Sequence, residues 1–357
     1  MIEDALHSLR TEHDLLLIEG AGSPAELNLR DSDLANMRTA KAAEARVILV
    51  ADIDRGGAFA HLYGTWALLP DDERATIIGF VLNRFRGDRA LLPPGPAQLQ
   101  GLTGVATLGV LPWLDHGLPD EDGAAMPTPQ GNRTAVAVIR YPTASNLDEF
   151  KQLEQVTDLR WAWGPNDIDG ADLVILPGSK HVAADLAWLT GTGLANAVRR
   201  RAAGGYPVLG ICGGMQMLGE SVEDGAGVDG SGEGLGLLRL RTRFVGSKIT
   251  EVTSTGFGRI GAPWAALTER RFDGYQIRHG RTQPTGPVAE ALPGGLGFVD
   301  GPVLGIALHG LFEQPEIISA VFDAVPTRSL DQAFDVLADA IEEHLDVTAL
   351  LREVGTS

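Results

Sequence analysis

The first third of the chain alternates continuous apolar runs with segments of helical spacing. Four of the runs predict buried strands, at residues 14–18, 46–51, 76–82 and 104–110. Apolar runs of this length are typical of strands covered on both faces, and their alternation with helices predicts a parallel sheet. Each run ends in a turn rich in glycine or charge. Because functional groups collect at the carboxyl ends of parallel strands, these turns are candidate sites.

The same alternation continues in the rest of the chain. Predicted strands lie at residues 134–139, 171–176, 206–209 and 305–308. Near the end of the chain, apolar residues recur at helical spacing between residues 330 and 351, which is typical of a packing face. The whole pattern therefore predicts an α/β fold.

Between the two regions, residues 117–133 are rich in proline, glycine and acids and have no apolar period, which predicts a linker. A chain of 357 residues also exceeds what one hydrophobic core usually supports. We therefore predict a parallel-sheet domain at residues 1–116 and a second α/β domain at residues 134–357, which includes the C-terminal helix.

Composition excludes several classes of protein. The net charge of −18 argues against a nucleic-acid partner, because phosphate binding needs a basic surface. No apolar run approaches the roughly 20 residues of a membrane-spanning helix, and the N-terminus does not resemble a signal peptide. One cysteine excludes internal disulfides and fits a reducing compartment, so we expect a cytoplasmic protein.

That cysteine, Cys212, lies in the Gly-Ile-Cys-Gly-Gly turn at residues 210–214, between a predicted strand and a predicted helix at residues 215–218. This layout is typical of a nucleophile elbow, in which neighbouring glycines let other strands and the substrate approach closely. A helix N-terminus also favours the thiolate over the thiol. The alternative is a small apolar core residue, the usual role of a lone buried cysteine.

A cysteine nucleophile needs a base, which can be distant in sequence. His309 follows a predicted strand and is our candidate, although it could be an ordinary histidine at a strand end. His279 is the rival candidate. Glu313, four residues after His309, is the candidate carboxylate for orienting the imidazole.

The turn after the predicted strand at residues 171–176 can present backbone N–H groups to an anion. The candidates are Gly178 and Ser179, together with the N–H of Gly213 after the cysteine. Such a set of donors predicts an oxyanion hole, in which one donor lowers the reaction barrier by about 3 kcal/mol.

Three motifs resemble the class I glutamine amidotransferase domain of the cobyric acid synthase family. They are Leu-Pro-Gly-Ser-Lys at residues 176–180, Gly-Ile-Cys-Gly-Gly-Met-Gln-Met-Leu-Gly at 210–219 and His-Gly-Leu-Phe at 309–312. The resemblance implies that Cys212 attacks the side-chain amide of glutamine to form a glutamyl thioester, that His309 is the base, and that ammonia is released. The segment at residues 272–282 departs from the family pattern, since Gln276 and Arg278 stand where the family has glutamate and histidine.

The motifs at residues 19–29, 50–57 and 83–88 resemble the synthetase domain of the same family, which is similar to dethiobiotin synthetase and has a P-loop ATPase fold. The resemblance implies ATP and Mg²⁺ as co-substrates, with no tightly bound cofactor. It places Glu19 near Mg²⁺ and Asn83 near adenine. A carboxylate at a strand tip, as predicted for Glu19, is also a suitable Mg²⁺ ligand by its chemistry.

Three charged residues in the second of these motifs are expected near the phosphates or the acyl acceptor; they are Asp52, Asp54 and Arg55. The alternative for the arginines of this region is a solvated rim.

A P-loop requires Gly-x-x-x-x-Gly-Lys followed by serine or threonine, since its N–H groups and lysine contact the phosphates. None of the four lysines follows a glycine; they are Lys41, Lys151, Lys180 and Lys248. We therefore expect that the sequence starts late within the synthetase domain, or that a separate polypeptide supplies the P-loop segment.

The resemblance implies ATP-dependent, glutamine-hydrolysing amidation of the b, d, e and g carboxylates of adenosylcobyrinic acid a,c-diamide, with glutamine and a corrinoid as substrates. One alternative is a related amidotransferase, similar to cobyrinic acid a,c-diamide synthase or to those acting on peptidoglycan precursors. The other is a glutaminase-only or non-catalytic remnant that lacks the ATP site.

Overall fold

The computed structural model of the chain describes residues 2–30, 33–114, 133–326 and 330–355. It divides into two compact units. The first contains residues 1–116 and 334–357, and the second contains residues 117–333. The predicted linker at residues 117–133 lies outside the described residues, apart from its last residue.

The first unit is built on a small parallel sheet. Its elements up to residue 112 are α1 (Ile2–Glu12), α2 (Met37–Ala42), β1 (Val47–Asp52), α3 (Ala58–Leu68), α4 (Asp71–Arg74), β2 (Ile77–Phe85), the 3₁₀ turn Arg89–Leu91, α5 (Pro94–Thr103) and β3 (Thr107–Pro112).

The three strands are parallel in the order β1-β2-β3, as their apolar runs predicted. Side chains alternate across β1. Leu49 and Ala51 join the core with residues of α3 and α5, whereas Val50 on the other face is 59% exposed. The two faces of this sheet are therefore covered unequally.

The prediction of a buried strand at residues 14–18 is wrong. This segment forms no strand, and Leu17 is 91% exposed. An apolar run becomes a strand only when a neighbouring strand satisfies its backbone N–H and C=O groups. No strand of the described sheet pairs with this run, so its apolar composition is not sufficient.

The second unit contains the remaining strands and most of the remaining helices. They are β4 (Ala135–Ile139), β5 (Ala144–Ser145), α6 (Lys151–Val156), β6 (Asp158–Ala162), β7 (Leu173–Leu176), β8 (Gly178–Ser179), α7 (Val182–Gly191), α8 (Leu194–Ala203), β9 (Val208–Ile211), α9 (Gly213–Leu218), β10 (Ser221–Asp224), β11 (Gly232–Glu233), β12 (Leu240–Gly256), β13 (Arg271–Pro284), β14 (Ala289–Leu292), β15 (Gly297–Asp300), β16 (Val303–Ile306) and α10 (Pro315–Phe322). Short 3₁₀ turns occur at Leu147–Phe150, Pro165–Ile168, Ala265–Leu267 and Leu311–Glu313.

A seven-stranded sheet in the order β14-β15-β16-β9-β7-β4-β6 forms the centre of this unit. The strands from β16 to β6 are parallel, and β14 and β15 form an antiparallel edge. Alternate residues of β4 enter two hydrophobic clusters, Val136 and Val138 on one face and Ala137 and Ile139 on the other. The carboxyl ends of these five adjacent parallel strands meet at one edge.

A second sheet has the order β11-β10-β12-β13 and is dominated by the long antiparallel pair β12–β13. An isolated bridge joins Tyr275 of β13 to His309. This bridge places the four-stranded sheet at the carboxyl edge of the seven-stranded sheet.

The chain ends in α11 (Leu330–His344) and α12 (Val347–Glu353), at the position of the predicted C-terminal helix. From residue 334 these helices group with the first unit, whereas the sequence analysis placed them in the second domain. A bridge links Leu345 to Gly109 of β3, and a Cβ atom on Gly109 would lie 2.2 Å from Leu345 Cδ2. Apolar spacing predicts a packing face but does not identify its partner.

Candidate active site

Cys212 occupies the turn between β9 and α9, as the motif predicted. Its φ of 51° and ψ of −105° are strained for a residue with a side chain, as expected for a nucleophile elbow. The neighbouring glycine is required by space, because a Cβ atom on Gly214 would lie 1.9 Å from the carbonyl oxygen of Leu176. The turn therefore packs directly against the end of β7.

His309 lies beside Cys212 because their strands are neighbours. Ile211 of β9 is in register with Ile306 of β16, whose carbonyl accepts a 2.7 Å hydrogen bond from the Cys212 N–H. The imidazole of His309 is 2% exposed, and the Cys212 side chain is one of the groups that raise its pKa. The pairing of β9 with β16 thus makes the two predicted catalytic residues neighbours.

The carboxylate that contacts His309 belongs to Glu149, and not to the predicted Glu313. Glu149 Oε1 lies 3.0 Å from His309 Nδ1, and Glu149 Oε2 accepts a 3.1 Å hydrogen bond from the Gly310 N–H. Glu149 is 1% exposed and lies in the 3₁₀ turn Leu147–Phe150. Sequence reasoning missed it because it is 160 residues from His309, although it follows a strand that ends at the same sheet edge.

Burial and hydrogen bonding act in opposite directions on the pKa of His309. Burial disfavours the charged imidazole, but the hydrogen bonds to Cys212 and Glu149 and the charges of these two residues outweigh it and raise the pKa to about 10. Burial raises the pKa of Glu313, which is half-buried. The site therefore favours a charged imidazole held between a sulfur and a carboxylate.

Tyr275 covers the face of His309. Their rings are stacked with centroids 5.4 Å apart, and their backbones exchange hydrogen bonds of 3.2 and 2.9 Å. The Tyr275 hydroxyl accepts a 2.8 Å hydrogen bond from Asn146 Nδ2, and burial raises the pKa of this phenol. These contacts fix the plane of the imidazole.

The predicted oxyanion residues lie against the catalytic pair. A Cβ atom on Gly178 would lie 2.6 Å from His309 Cε1, and one on Gly213 would lie 2.7 Å from the backbone nitrogen of Ser179. The backbones of the β8 turn and the first turn of α9 are thus in contact, which brings together the three residues that the sequence analysis assigned to this role.

A buried carboxylate that the sequence analysis did not identify holds this turn. Asp185 is 1% exposed, and its Oδ2 accepts hydrogen bonds of 2.6 Å from Ser179 Oγ and from Thr143 Oγ1. The N–H of Thr143 donates to its other oxygen at 3.2 Å. Asp185 therefore joins the turns that follow β4 and β7.

His279, the rival base, is engaged elsewhere. Its Nδ1 lies 3.1 Å from the carbonyl oxygen of Val245, within the β12–β13 pair. His309 is therefore the histidine that the fold places on Cys212.

In the first unit, the carboxyl edge of the sheet carries a cluster of charges. Asp52 ends β1 and lies 3.3 Å from both Arg55 Nε and Arg84 Nη1, and Asp54 Oδ1 lies 3.3 Å from Arg86 Nε. The guanidinium of Arg86 lies 3.5 Å from the centroid of the Trp113 ring.

Asn83 belongs to β2, where it is in register with Asp52, and its Oδ1 accepts a 2.9 Å hydrogen bond from the N–H of Arg84. Four of the five predicted nucleotide-side residues therefore share this edge. The fifth, Glu19, is exposed in the irregular segment after α1.

Two family models match the chain. A CobB/CobQ-like glutamine amidotransferase domain matches residues 135–317, and an AAA domain matches residues 2–118. Cobyric acid synthase from Leptothrix cholodnii is 52% identical over 97% of this chain and 72% of its own length. The enzyme of the same name from Variovorax paradoxus is 50% identical over 98% of this chain and 75% of its own length.

The chain belongs to the cobyric acid synthase family.

Membership in the cobyric acid synthase family confirms the predicted α/β fold with an ATPase-like and a glutamine amidotransferase region, and it confirms a glutamine-dependent carbon–nitrogen ligase of cobalamin biosynthesis. It also indicates ATP use. The expected separate P-loop polypeptide gains no support, because the AAA domain model matches residues 2–118 of this chain itself. The individual catalytic and nucleotide-side residues are not identified by these matches.

The described ranges contain no group of three His, Cys, Asp or Glu side chains close enough together to hold a metal ion. The role of Glu19 as a Mg²⁺ ligand therefore stays a prediction. In the same part of the chain, no helix has the length and apolar character needed to cross a membrane.

Proposed function

We propose that the chain hydrolyses glutamine with the triad Cys212, His309 and Glu149 and transfers the ammonia to ATP-activated carboxylates of a corrinoid. The acceptor is adenosylcobyrinic acid a,c-diamide, and its b, d, e and g carboxylates become amides. The observation that supports the glutaminase half is the buried hydrogen bond between Glu149 and His309 on the strand end next to that of Cys212.

Glu149 orients the base in this proposal. The carboxylate lies on Nδ1 of His309, which makes Nδ1–H the donor and directs Nε2 toward Cys212. Nε2 removes the Sγ proton, and the thiolate attacks the amide carbon of the glutamine side chain. The raised pKa of His309 keeps this proton on the imidazole while the carbon–sulfur bond forms.

The tetrahedral intermediate places negative charge on the former amide oxygen. The N–H groups of Gly213 and of the Gly178–Ser179 turn stabilise it. His309 then gives its proton to the leaving nitrogen, the carbon–nitrogen bond breaks, and ammonia departs from a glutamyl thioester. A water molecule, deprotonated by His309, cleaves the thioester to glutamate and restores the Cys212 thiol.

In the synthetase half, ATP converts each corrinoid carboxylate to a reactive acyl species that ammonia attacks. The charged edge formed by Asp52, Asp54 and Arg55 is the part of the first unit that suits a phosphate or carboxylate ligand, since arginines bind both groups in bidentate geometry. Asn83 of the same edge contributes to nucleotide recognition.

The test is glutamate release from glutamine by the purified chain and by Cys212→Ala, each with and without ATP and the corrinoid diamide. We expect release by the unchanged chain and a loss on the order of 10⁵-fold in the variant, because removal of the nucleophile of a triad has effects of this size. Circular dichroism verifies that both proteins are folded. Equal release by both proteins would exclude Cys212 as the nucleophile.

Amide formation is followed separately by mass spectrometry of the corrinoid. We expect four successive products that require both ATP and a nitrogen source. If added ammonia fails to replace glutamine in the variant, the synthetase half of the proposal is wrong even if the glutaminase half holds.

A further inference from the structure

Strand β13 contacts the glutaminase site through Tyr275 on one face and has a second, more buried face. Successive side chains of a strand point to opposite faces, so Gly274, Gln276, Arg278 and Gly280 share a face. Gly274, Gln276 and Gly280 are buried and Arg278 is half-buried, whereas Ile277 on the opposite face is exposed. This face is therefore the inner one.

Its two ends have known neighbours in the catalytic machinery. A Cβ atom on Gly274 would lie 2.7 Å from the carbonyl oxygen of His309. A Cβ atom on Gly280 would lie 2.5 Å from Nε2 of Gln216, whose own N–H bonds to the Cys212 carbonyl one helical turn away. Gln276 and Arg278 thus lie on the stretch of strand between His309 and the helix that begins after Cys212.

The guanidinium of Arg278 is held in a fixed position. Its Nε donates a 2.9 Å hydrogen bond to Gln276 Oε1, and its Nη1 donates a 2.6 Å hydrogen bond to the carbonyl of Gly280. Both acceptors are neutral and belong to its own strand. Arg278 is therefore positioned by β13 and leaves Nη2 available.

Among the residues that the structure describes, Arg278 has no carboxylate within 4 Å, and its guanidinium donates hydrogen bonds only through Nε and Nη1. Burial lowers the pKa of Arg278, and the charge of Cys212 acts in the opposite direction. A half-buried cation without a partner carries a desolvation cost that a bound anion would offset.

We propose that Arg278 binds the α-carboxylate of the glutamine whose side-chain amide is attacked by Cys212. The inference rests on the proposed glutaminase function and names how the site selects its substrate. The α-carboxylate is the only anion of glutamine, and it is separated from the amide carbon by the length of the side chain. A guanidinium that β13 fixes between the neighbours of His309 and of the helix after Cys212 suits this separation, and its planar fork matches a carboxylate.

The first test compares the steady-state glutaminase kinetics of Arg278→Gln with those of the unchanged chain. Loss of a charge-assisted hydrogen bond made equally in substrate and transition state should raise KM for glutamine about 10- to 100-fold and leave kcat within a few-fold. Arg271→Gln is the matched control, since Arg271 is exposed on the opposite face of the same strand. We expect the control to keep both constants.

The second test uses the α-amide of glutamine, in which a neutral carboxamide replaces the carboxylate. The unchanged chain should prefer glutamine over this compound by a similar factor, and Arg278→Gln should lose the preference. Alkylation of Cys212 by iodoacetamide, which has no carboxylate, should proceed at the same rate in both proteins. This readout separates carboxylate binding from an effect on thiol reactivity.

Several results would overturn the inference. An unchanged KM and an unchanged preference for glutamine over its α-amide in Arg278→Gln would exclude binding of the α-carboxylate by Arg278. Slower alkylation of Cys212 together with a lower kcat and an unchanged KM would instead show that Arg278 stabilises the thiolate. If the unchanged chain releases no glutamate, the proposed function fails and this inference fails with it. If the unchanged chain releases glutamate and Arg278→Gln has the same kinetics, the proposed triad stands and only the role of Arg278 in binding the α-carboxylate is excluded.

Discussion

The two units place polar residues at the carboxyl edge of a parallel sheet, but they do so in different environments. In the second unit, β4 is covered on both faces, and Glu149 and His309 are at most 2% exposed. In the first unit, Val50 of β1 is 59% exposed, and the side chain of Arg55 is 76% exposed. Burial strengthens the interactions that shift the pKa of His309 at the glutaminase edge, whereas water screens the charges at the edge of the first unit.

The largest expected effect is on Glu149. Glu149→Gln keeps the shape of the side chain but removes the charge that orients and stabilises the imidazolium, so kcat for glutamine hydrolysis should fall about 10²- to 10⁴-fold. Glu313→Gln is the matched control, because Glu313 is a nearby half-buried carboxylate without a hydrogen bond to His309 among the described contacts. A larger loss in the control would restore the sequence-based assignment of Glu313.

Asp185 tests whether burial also gives this edge its rigidity. In Asp185→Asn, an NH₂ group replaces one of the two carboxylate oxygens that accept hydrogen bonds from Thr143 and Ser179. Its two N–H donors then have no acceptor at that place. We expect a loss of about 2–4 kcal/mol in the free energy of unfolding, because buried charged networks are costly to break. Urea denaturation measures it, and a change below about 0.5 kcal/mol, the scatter of ordinary surface substitutions, would contradict the expectation.

The pKa of His309 provides a third comparison. Cys212→Ala and Glu149→Gln should each lower this pKa from about 10, because both partners favour the charged imidazole. The stability from protonated His309 is complete below the ordinary histidine pKa of about 6.5 and is lost as pH rises through about 10. NMR titration of the imidazole measures the shift. An identical titration in both variants and the unchanged chain would show that the partners do not set it.

Asp52→Asn, the counterpart in the first unit, should have the smallest effect. Its ion pairs with Arg55 and Arg84 involve partly exposed side chains, so their loss should change the free energy of unfolding by at most about 1 kcal/mol. Glutamate release should not change. A loss as large as that of Asp185→Asn, measured in the same denaturation experiment, would remove the distinction between the two edges.

Sequence patterns predicted most of the sheet strands and the contact between Cys212 and His309, since both follow apolar runs that end at one edge. They did not predict the fate of residues 14–18, because composition does not state whether a neighbouring strand is present. They also did not predict Glu149, because the third member of a triad is selected by spatial proximity to the imidazole and carries no motif of its own.

Arg278 shows a different limit of sequence analysis, because the residue was noticed but its surroundings were not. Arg278 was visible in the sequence as an exception to the family pattern, but its neighbours were not. Its position came from the alternation of β13 between Gly274 and Gly280, whose contacts with His309 and Gln216 exist only in the folded chain.

The pairing of β9 with β16 also has a consequence for how the protein is made. Glu149 and His309 are separated by 160 residues, and the ladder that seats Cys212 beside His309 closes only when β16 has been synthesised. Contacts of such sequence separation form late and slowly. On the ribosome, the candidate site therefore stays unassembled until β16 and His309 have emerged, and we expect glutamine hydrolysis only after the sheet has closed.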